Sequence, residues 1–223
     1  MQSELFDQID PILKTKTYSE FKEALITSNC TKCPLSEMRH HIVVDRGNPN
    51  AKVMMIGEAP GETEDLQGKA FVGRAGKLLD ELTQNLGFDT NRDSLIVNVV
   101  KCRPPENRQP KPEEARECLP FLRKQIDLVK PKIIILLGAT ALKHIVPSKK
   151  EFSMNQEAGR FFEHPEHPGI KFMVLFHPAY ILRDPRKKPA MIEHLKSFIE
   201  EWKRIVNPVI ARSPEGMTKQ STV

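Results

Sequence analysis

The stretch Val53-Met-Met-Ile-Gly-Glu-Ala-Pro-Gly61 decides how the rest of this sequence is interpreted. Four apolar residues typical of a buried strand run directly into a turn that contains Gly57, Pro60 and Gly61. Glycine lets the backbone turn sharply and approach a ligand closely, although an ordinary strand-to-loop turn has the same local sequence. Ligands of open α/β folds bind at the carboxyl edge of the sheet. The stretch therefore predicts a site at this edge, with Glu58 in it.

Three further segments have the composition of buried strands: residues 95–100, 133–137 and 172–176. Segments with helical periodicity lie between them, and this alternation predicts an α/β fold. We expect three layers, α/β/α, around a central four-stranded parallel sheet that helices cover on both faces. Parallel strands bring their carboxyl ends to one edge of the sheet. Glu58, Asn98 and His177 lie at or just past strand ends, so they are predicted to meet in one pocket.

The domain organisation is predicted to be simple. Residues 1–206 are expected to form one domain with an N-terminal helical arm, in which Thr17-Tyr-Ser-Glu20 fits the capping box of a helix. Residues 62–73 and 147–170 lack apolar periodicity and are predicted to be loops. Residues 207–223 are polar and aperiodic, which predicts a disordered tail.

Length and charge narrow the class of protein. The chain has 223 residues, with 34 lysines and arginines against 29 acidic residues and a net charge of +5. This mildly basic balance suits a polyanionic partner. The longest apolar run is too short to cross a bilayer, and the N-terminus lacks the apolar core of a signal peptide. We therefore expect a soluble, cytoplasmic protein with no membrane partner.

Four cysteines form a candidate metal centre: Cys30, Cys33, Cys102 and Cys118. The first two have Cys-x-x-Cys spacing, which in a reducing compartment indicates a metal site more often than a disulfide. Four thiolates suit either a tetrahedral zinc ion or a [4Fe–4S] cluster, and the spacing does not choose between them. Buried thiols without a ligand are the remaining interpretation.

A basic loop follows the second predicted strand. Residues 101–111 are rich in proline and carry four cations against one acid, and residues 183–188 add more cations after the fourth strand. Charge runs are often only solvated surface. Because both loops flank the predicted pocket, they favour contacts with the phosphates of a nucleic acid.

Five motifs, in this order, resemble those of the family 4 uracil-DNA glycosylases. They are Gly57-Glu-Ala-Pro-Gly61, Gln67-Gly-Lys-Ala-Phe-Val-Gly-Arg-Ala-Gly76, Asn98-Val-Val-Lys-Cys-Arg-Pro-Pro105, Asn107-Arg-Gln-Pro110 and His177-Pro-Ala-Tyr-Ile-Leu-Arg183. The resemblance covers about residues 25–205. It implies a [4Fe–4S] cluster on the four cysteines, an α/β/α fold, and base-excision repair by a monofunctional enzyme that leaves an abasic site.

The same resemblance implies roles in binding the substrate. Phe71 would stack on the extruded uracil, and Asn98 would read its Watson–Crick edge. His177 would hydrogen-bond the O2 side of the base and stabilise the uracil anion as it leaves. Gly57 and Ala59 would form the turn beside the base, where alanine narrows the pocket slightly compared with the glycine of many relatives.

The residue that activates water is left open among three candidates: Glu58, Glu64 and Asn107. Glu58 would lie near the sugar carbon and the attacking water, where a carboxylate stabilises an oxocarbenium-like state. A related branch captures uracil-DNA covalently through a histidine of the loop that corresponds to residues 104–110. This loop holds no histidine here, so we predict turnover without crosslinking.

Contacts with DNA are assigned to five residues: Arg103, Arg108, Tyr180, Leu182 and Arg183. The segment 180–182 would press into the duplex where the base has left, while the arginines would hold phosphates. The expected partner is uracil-containing DNA, single- or double-stranded, and we expect a monomer. The alternative is a non-catalytic nucleic-acid-binding protein with an iron–sulfur cluster or a zinc ion, which would not need Glu58, Phe71, Asn98 and His177 together.

Overall fold

The computed structural model describes residues 10–147, 149 and 151–206. The predicted disordered tail, residues 207–223, and the first part of the N-terminal arm lie outside these residues. In the described part of the arm, Pro11–Lys14 form a 3-10 helix in which the Ile12 side chain is buried. The predicted capping box is confirmed: the Glu20 amide donates to the Thr17 hydroxyl, and the Thr17 amide donates to the Glu20 carboxylate, each at 3.2 Å.

A mixed sheet of six strands forms the centre of the fold, in the order β1-β3-β2-β4-β6-β5. The strands are β1 Arg46–Gly47, β2 Val53–Gly57, β3 Ser94–Asn98, β4 Ile133–Leu137, β5 Phe161–Glu163 and β6 Lys171–Leu175. The four predicted strands are the parallel centre, in the order β3-β2-β4-β6. The predicted four-stranded parallel centre is confirmed, and β1 and β5, which were not predicted, add antiparallel edges to it. These edges have two and three residues, too few to show a period.

Nine α-helices are present in the described ranges. They are α1 Tyr18–Thr27, α2 Glu62–Gln67, α3 Arg74–Gln84, α4 Thr90–Asp93, α5 Pro112–Val129, α6 Ala139–Ile145, α7 Met154–Glu157, α8 Pro178–Arg183 and α9 Lys188–Val206. Helix α5 continues through Pro120.

The side chains of the central strands alternate between two separate cores, which makes the three predicted layers. Met54 and Ile56 of β2 belong to the core that includes residues of α1 and α5, such as Phe21 and Phe121. The alternate residues Val53 and Met55 belong to the other core, which includes residues of α3 and α9. All five β2 residues are buried, as expected for a parallel strand covered on both faces.

Two segments predicted to be loops contain regular structure. In residues 62–73, helix α2 carries the fully buried Asp65, whose carboxylate accepts hydrogen bonds from the main-chain amide of His40 at 2.9 Å and of His41 at 3.2 Å. In residues 147–170, α7 and β5 are formed and His164 is buried. These three elements have six, four and three residues, too few to show an apolar period in the sequence.

No helix in the described ranges is long and apolar enough to cross a bilayer.

Candidate active site

A cavity of about 700 Å³ lies at the carboxyl edge of the sheet, where all four parallel strands end. The predicted site residues that line it are Glu58, Ala59, Glu64, Phe71, Asn98, Asn107, Arg108, His177, Tyr180 and Arg183. Gly57 lies directly behind this wall, against Asn98 and Phe71. Arg103 and Leu182 are not part of the lining. The convergence of Glu58, Asn98 and His177 that the strand ends predicted is therefore present in the structure.

The Asn98 side chain is the most unusual polar group in this cavity. The residue is only 1 % exposed, yet in the part of the chain that the structure describes neither its Oδ1 nor its Nδ2 has a hydrogen-bond partner. An amide buried in this way is destabilising unless a ligand completes its hydrogen bonds. It offers one acceptor and a donor group to such a ligand.

Phe71 lies beside this amide and forms an apolar wall. Its ring centroid is 5.7 Å from that of His177, with 39° between the two planes. Its φ of 52° is in the left-handed region, which a bulky residue rarely adopts. Gly76 at the start of α3 makes this backbone course possible, because a Cβ there would lie 1.8 Å from the Phe71 carbonyl oxygen. Strain of this kind concentrates at binding sites.

His177 caps the N-terminus of α8 and is held as a neutral donor. Its Nδ1 accepts a hydrogen bond from the Ala179 amide at 3.1 Å, so the proton of the neutral ring is on Nε2. Burial, and to a smaller extent the charge of Arg183, lowers the pKa of His177 to about 4. The ring therefore stays uncharged at neutral pH, with one N–H available to a ligand.

The two glutamates of the first loop are in different situations. Both Glu64 oxygens accept main-chain hydrogen bonds, from Gly61 at 3.2 Å and from Gly73 at 2.7 Å. This carboxylate thus joins the turn after β2 to the loop that carries Phe71. Glu58 makes no side-chain hydrogen bond with any described residue, while its main-chain carbonyl accepts from the Val100 amide at 3.2 Å. Its backbone is fixed and its carboxylate is free for a ligand or water.

The third candidate for water activation, Asn107, lies at the exposed rim. Its Oδ1 accepts a hydrogen bond from Nε of Arg103 at 2.8 Å. Arg103 also reaches Glu62, with 3.5 Å between the charged groups. The structure therefore places Asn107 and Arg103 together in a rim contact.

The predicted phosphate-binding cations differ in how much they are already paired. Arg108 donates two hydrogen bonds to the buried Glu114 carboxylate, at 2.6 and 2.8 Å. Arg183 is exposed and forms no ion pair or side-chain hydrogen bond with the described residues, so its guanidinium is available to an anion at the cavity mouth. Leu182 beside it is 37 % exposed, which is unusual for a large apolar side chain.

Several lining residues were not predicted from the sequence: Gly138, Thr140, Met154, Asn155 and Phe176. Gly138 follows β4 directly, so the rule that ligands bind at strand ends could have found it. Met154 and Asn155 come from α7, inside a segment that was predicted to be a loop. Their sequence carries no signal that would place them at the cavity.

The four cysteines line a second, much smaller cavity, of about 20 Å³, together with Arg39 and Lys101. An Arg39 N–H donates to Sγ of Cys102 at 3.4 Å and to the Cys30 carbonyl at 2.7 Å. Burial raises the pKa of the Cys102 thiol to about 11 and lowers that of Lys101 to about 8. In the described ranges, no three or more histidine, cysteine or acidic side chains are arranged to hold a metal ion as they stand. The donor set, four sulfurs beside two cations, nevertheless fits an anionic thiolate-bound group.

Comparison with known proteins identifies the family. A family model described as "Uracil DNA glycosylase superfamily" matches residues 44–203. The chain belongs to this superfamily. The pocket of Glu58, Asn98 and His177 therefore lies within the matched domain of a uracil DNA glycosylase superfamily member, and the superfamily resemblance inferred from the motifs is confirmed.

Several relatives of this superfamily member are named "Type-4 uracil-DNA glycosylase". The protein from Thermotoga maritima is 44% identical over 177 residues, which cover 77% of this chain and 90% of the relative. The protein from Sulfurisphaera tokodaii is 39% identical over 186 residues, 81% of this chain and 83% of the relative. The protein from Saccharolobus solfataricus is 39% identical over 175 residues, 77% of this chain and 81% of the relative. The resemblance to family 4 is confirmed by these relatives.

Proposed function

We propose that this protein is a monofunctional DNA repair glycosylase that flips uracil out of DNA and hydrolyses its N-glycosidic bond, leaving an abasic site. The observation that carries the proposal is the buried Asn98 amide, whose donor and acceptor have no partner among the described residues. The names of the similar proteins from three organisms support the same substrate.

Recognition of the base follows from the cavity walls. The glycosidic carbon is hidden inside a stacked duplex, so the nucleotide must leave the stack to reach a pocket. Asn98 can donate to O4 of uracil and accept from N3–H, and cytosine presents the opposite pattern at these positions. Phe71 supplies an apolar face on which the base can stack. The exposed Leu182 can fill the space in the duplex that the base leaves.

Departure of the base is assigned to His177. As the glycosidic bond breaks, negative charge develops on the uracil oxygens. The neutral imidazole donates through Nε2–H because Nδ1 is occupied by the Ala179 amide. A donor that is already oriented and desolvated stabilises this charge without reorganising during the reaction.

Stabilisation of the sugar is assigned to Glu58. The transition state resembles an oxocarbenium ion, and a nearby carboxylate stabilises its positive charge and can accept a proton from water. Glu58 has a free carboxylate at the cavity, whereas both oxygens of Glu64 already accept main-chain hydrogen bonds. We therefore assign activation of the water to Glu58. Glu64 has a positioning role between the two loops, and Asn107, at the rim, is not assigned to the water.

The four cysteines are proposed to hold a [4Fe–4S] cluster. When bound, such a cluster would link residues 30–33 to the basic loop 101–111, which carries Cys102, and to α5, which carries Cys118. The basic loop would then be held beside the cavity, where Arg103 and Arg108 lie at its rim. The hydrogen bond from Arg39 to Cys102 suits a thiolate ligand. Structural zinc is the alternative occupant.

The proposed partner is uracil-containing DNA, held at the cavity mouth by Arg183 and beside it by Tyr180 and Leu182. We further propose that the protein acts as a monomer in the cytoplasm, where free thiols stay reduced and available to a cluster.

The test is uracil release by the purified protein, with EDTA present and alkali added afterwards to cut abasic sites. An oligonucleotide with one uracil should be cut at that position, and the same sequence with thymine should stay intact. Asn98→Ala and His177→Ala should release uracil much more slowly but bind the oligonucleotide about as well as the unmodified protein. Binding without release by the unmodified protein, while a control glycosylase works, would establish the non-catalytic alternative. Iron, sulfide and zinc analysis of the same sample decides which group the cysteines hold.

A further inference from the structure

Lys101 is a buried cation that the reaction outlined above does not use. The residue is 1 % exposed and follows the end of β3 by three positions. Its ammonium donates to the main-chain carbonyl of Asn98 at 2.7 Å and also to Oε1 of Gln125. Burying a charged ammonium is unfavourable unless its hydrogen bonds are made. Packing alone does not explain why a lysine is buried at this position.

Asn98 needs support from its backbone because no hydrogen bond from the described residues holds its side chain. The backbone and the neighbouring Gly57 and Phe71 therefore set the direction of the amide. On one side, β2 holds the strand through the hydrogen bond from Val99 to the Gly57 carbonyl, 2.9 Å. On the other side, β1 pairs with Leu95 and Ile96, two residues short of Asn98.

On that second side, the Lys101 ammonium holds the main chain of Asn98. It occupies the Asn98 carbonyl with a charge-assisted hydrogen bond, which is roughly twice as strong as a neutral one. It is itself held by Gln125 of α5, whose amide donates to the Tyr18 hydroxyl at 2.9 Å and to the Val44 carbonyl at 3.2 Å. The end of β3 is thus tied to α5 and α1 through one buried network.

The same side chain borders the cysteine cavity, and Lys101 directly precedes Cys102. The ammonium therefore joins the segment that carries the cysteines to the residue that reads the base. Because the Lys101 side chain contacts both the cysteine cavity and Asn98, ordering of the cysteine segment can also order the main chain of Asn98 in the pocket.

We propose that Lys101 is a positioning residue for base recognition: its ammonium fixes the main chain of Asn98 so that the unsupported amide points at uracil. The inference rests on the proposed function. It assigns no proton transfer to Lys101 and no contact with the substrate. Its effect on the reaction passes entirely through Asn98.

A double-mutant cycle tests this dependence. Single-turnover rates of uracil release are measured for the unmodified protein, Lys101→Met, Asn98→Ala and the double variant. Lys101→Met is expected to lower the rate about 10- to 100-fold, the range that loss of a hydrogen bond to a charged group gives. In the Asn98→Ala background the same change should lower the rate by less than about 3-fold, because the amide to be positioned is gone. DNA affinity should stay unchanged, since Lys101 does not face the cavity mouth.

The matched control is Lys22→Met, which removes an ammonium that pairs with Asp45 in the same network but does not touch Asn98. It should leave the rate within about 3-fold of the unmodified protein. Thermal melting and iron content are measured for every variant. If Lys101→Met does not fold, Lys101→Gln, which keeps a shorter neutral donor, replaces it in the cycle.

Equal rate losses for Lys101→Met in the two backgrounds would overturn the proposal, because a general structural defect would not depend on Asn98. An unmodified protein that releases no uracil would instead refute the proposed function. The two failures are therefore distinguished within one set of measurements.

Discussion

Gly57→Ala tests the geometry of the pocket with a single methyl group. A Cβ at this position would lie 2.5 Å from Oδ1 of Asn98 and 2.5 to 2.6 Å from two carbons of the Phe71 ring. Ordinary contacts between such atoms are about 3.5 Å or longer. The Asn98 amide or the Phe71 ring must therefore move by about 1 Å. Both are the groups assigned to hold the base.

The expected result is a large loss of rate with little loss of binding. A displacement of about 1 Å in a positioning group lowers the rate about 100-fold. The overpacked site should also lower the free energy of unfolding by about 1–3 kcal/mol. The assay is single-turnover release of uracil from an oligonucleotide, with fluorescence anisotropy for DNA affinity. We expect the affinity to change little, because the phosphate contacts lie at the cavity mouth.

Gly87→Ala is the control that separates stability from geometry. Gly87 has a φ of 81°, and apart from its two chain neighbours no heavy atom of the described residues lies within 4 Å of the position that its Cβ would take. Alanine there is strained and should lower the free energy of unfolding by about 1 kcal/mol while leaving the rate unchanged. A rate for Gly57→Ala within about 3-fold of the unmodified protein would refute the assignment of Asn98 and Phe71 to the base.

Three further predictions concern titration, charge and the cysteine site. The pKa of His177 is lowered to about 4, so below about pH 6.5 the unfolded chain binds a proton at this ring that the folded chain does not bind. The free energy of unfolding should therefore fall by about 2–3 kcal/mol between pH 7 and pH 4.5. Urea unfolding at the two pH values should show this decrease, and His177→Gln should lack it. Arg183→Ala should lower the slope of log affinity against log salt by about one and leave the rate at saturating DNA unchanged; Arg186→Ala, whose guanidinium already pairs with Asp184, is the control. Arg39→Gln removes the N–H donor to Cys102, so the visible absorption band of the proposed [4Fe–4S] cluster should disappear faster in air. Arg123→Gln, which changes an exposed arginine, is the control.

Each of these three has a clear contrary result. An equal pH-dependent loss of stability with and without His177 would mean that its ring is not held neutral by the fold. An unchanged salt slope for Arg183→Ala would place the phosphate elsewhere. An unchanged lifetime for Arg39→Gln would show that the hydrogen bond to Cys102 does not protect the bound group.

The sequence alone predicted the parallel centre of the sheet and the convergence of Glu58, Asn98 and His177. This worked because buried parallel strands are continuous apolar runs, and because their carboxyl ends must lie at one edge. The position of each residue relative to a strand end is a local property that the chain order records. The capping box of Thr17 and Glu20 was predictable for the same reason, since its hydrogen bonds span three residues.

Contacts between residues distant in the chain were decided only by the tertiary structure. Glu64 and Glu58 have similar surroundings in the sequence, but the main-chain amides of Gly61 and Gly73 occupy one carboxylate and leave the other free. Arg108 and Arg183 look alike as cations, yet only Arg108 meets a buried carboxylate, that of Glu114. A hydrogen bond needs its partner within about 3 Å, and no local pattern reports that distance.

The sequence by itself thus determined which residue types stand at the strand ends and hence where the pocket lies. Only the folded chain decided that the Asn98 amide is buried without a hydrogen-bond partner among residues 10–147, 149 and 151–206, and that Lys101 donates to its main-chain carbonyl. The physical reason is that burial and hydrogen bonding depend on every segment packed around a group, whereas strand order and strand ends depend on the periodicity of one segment at a time.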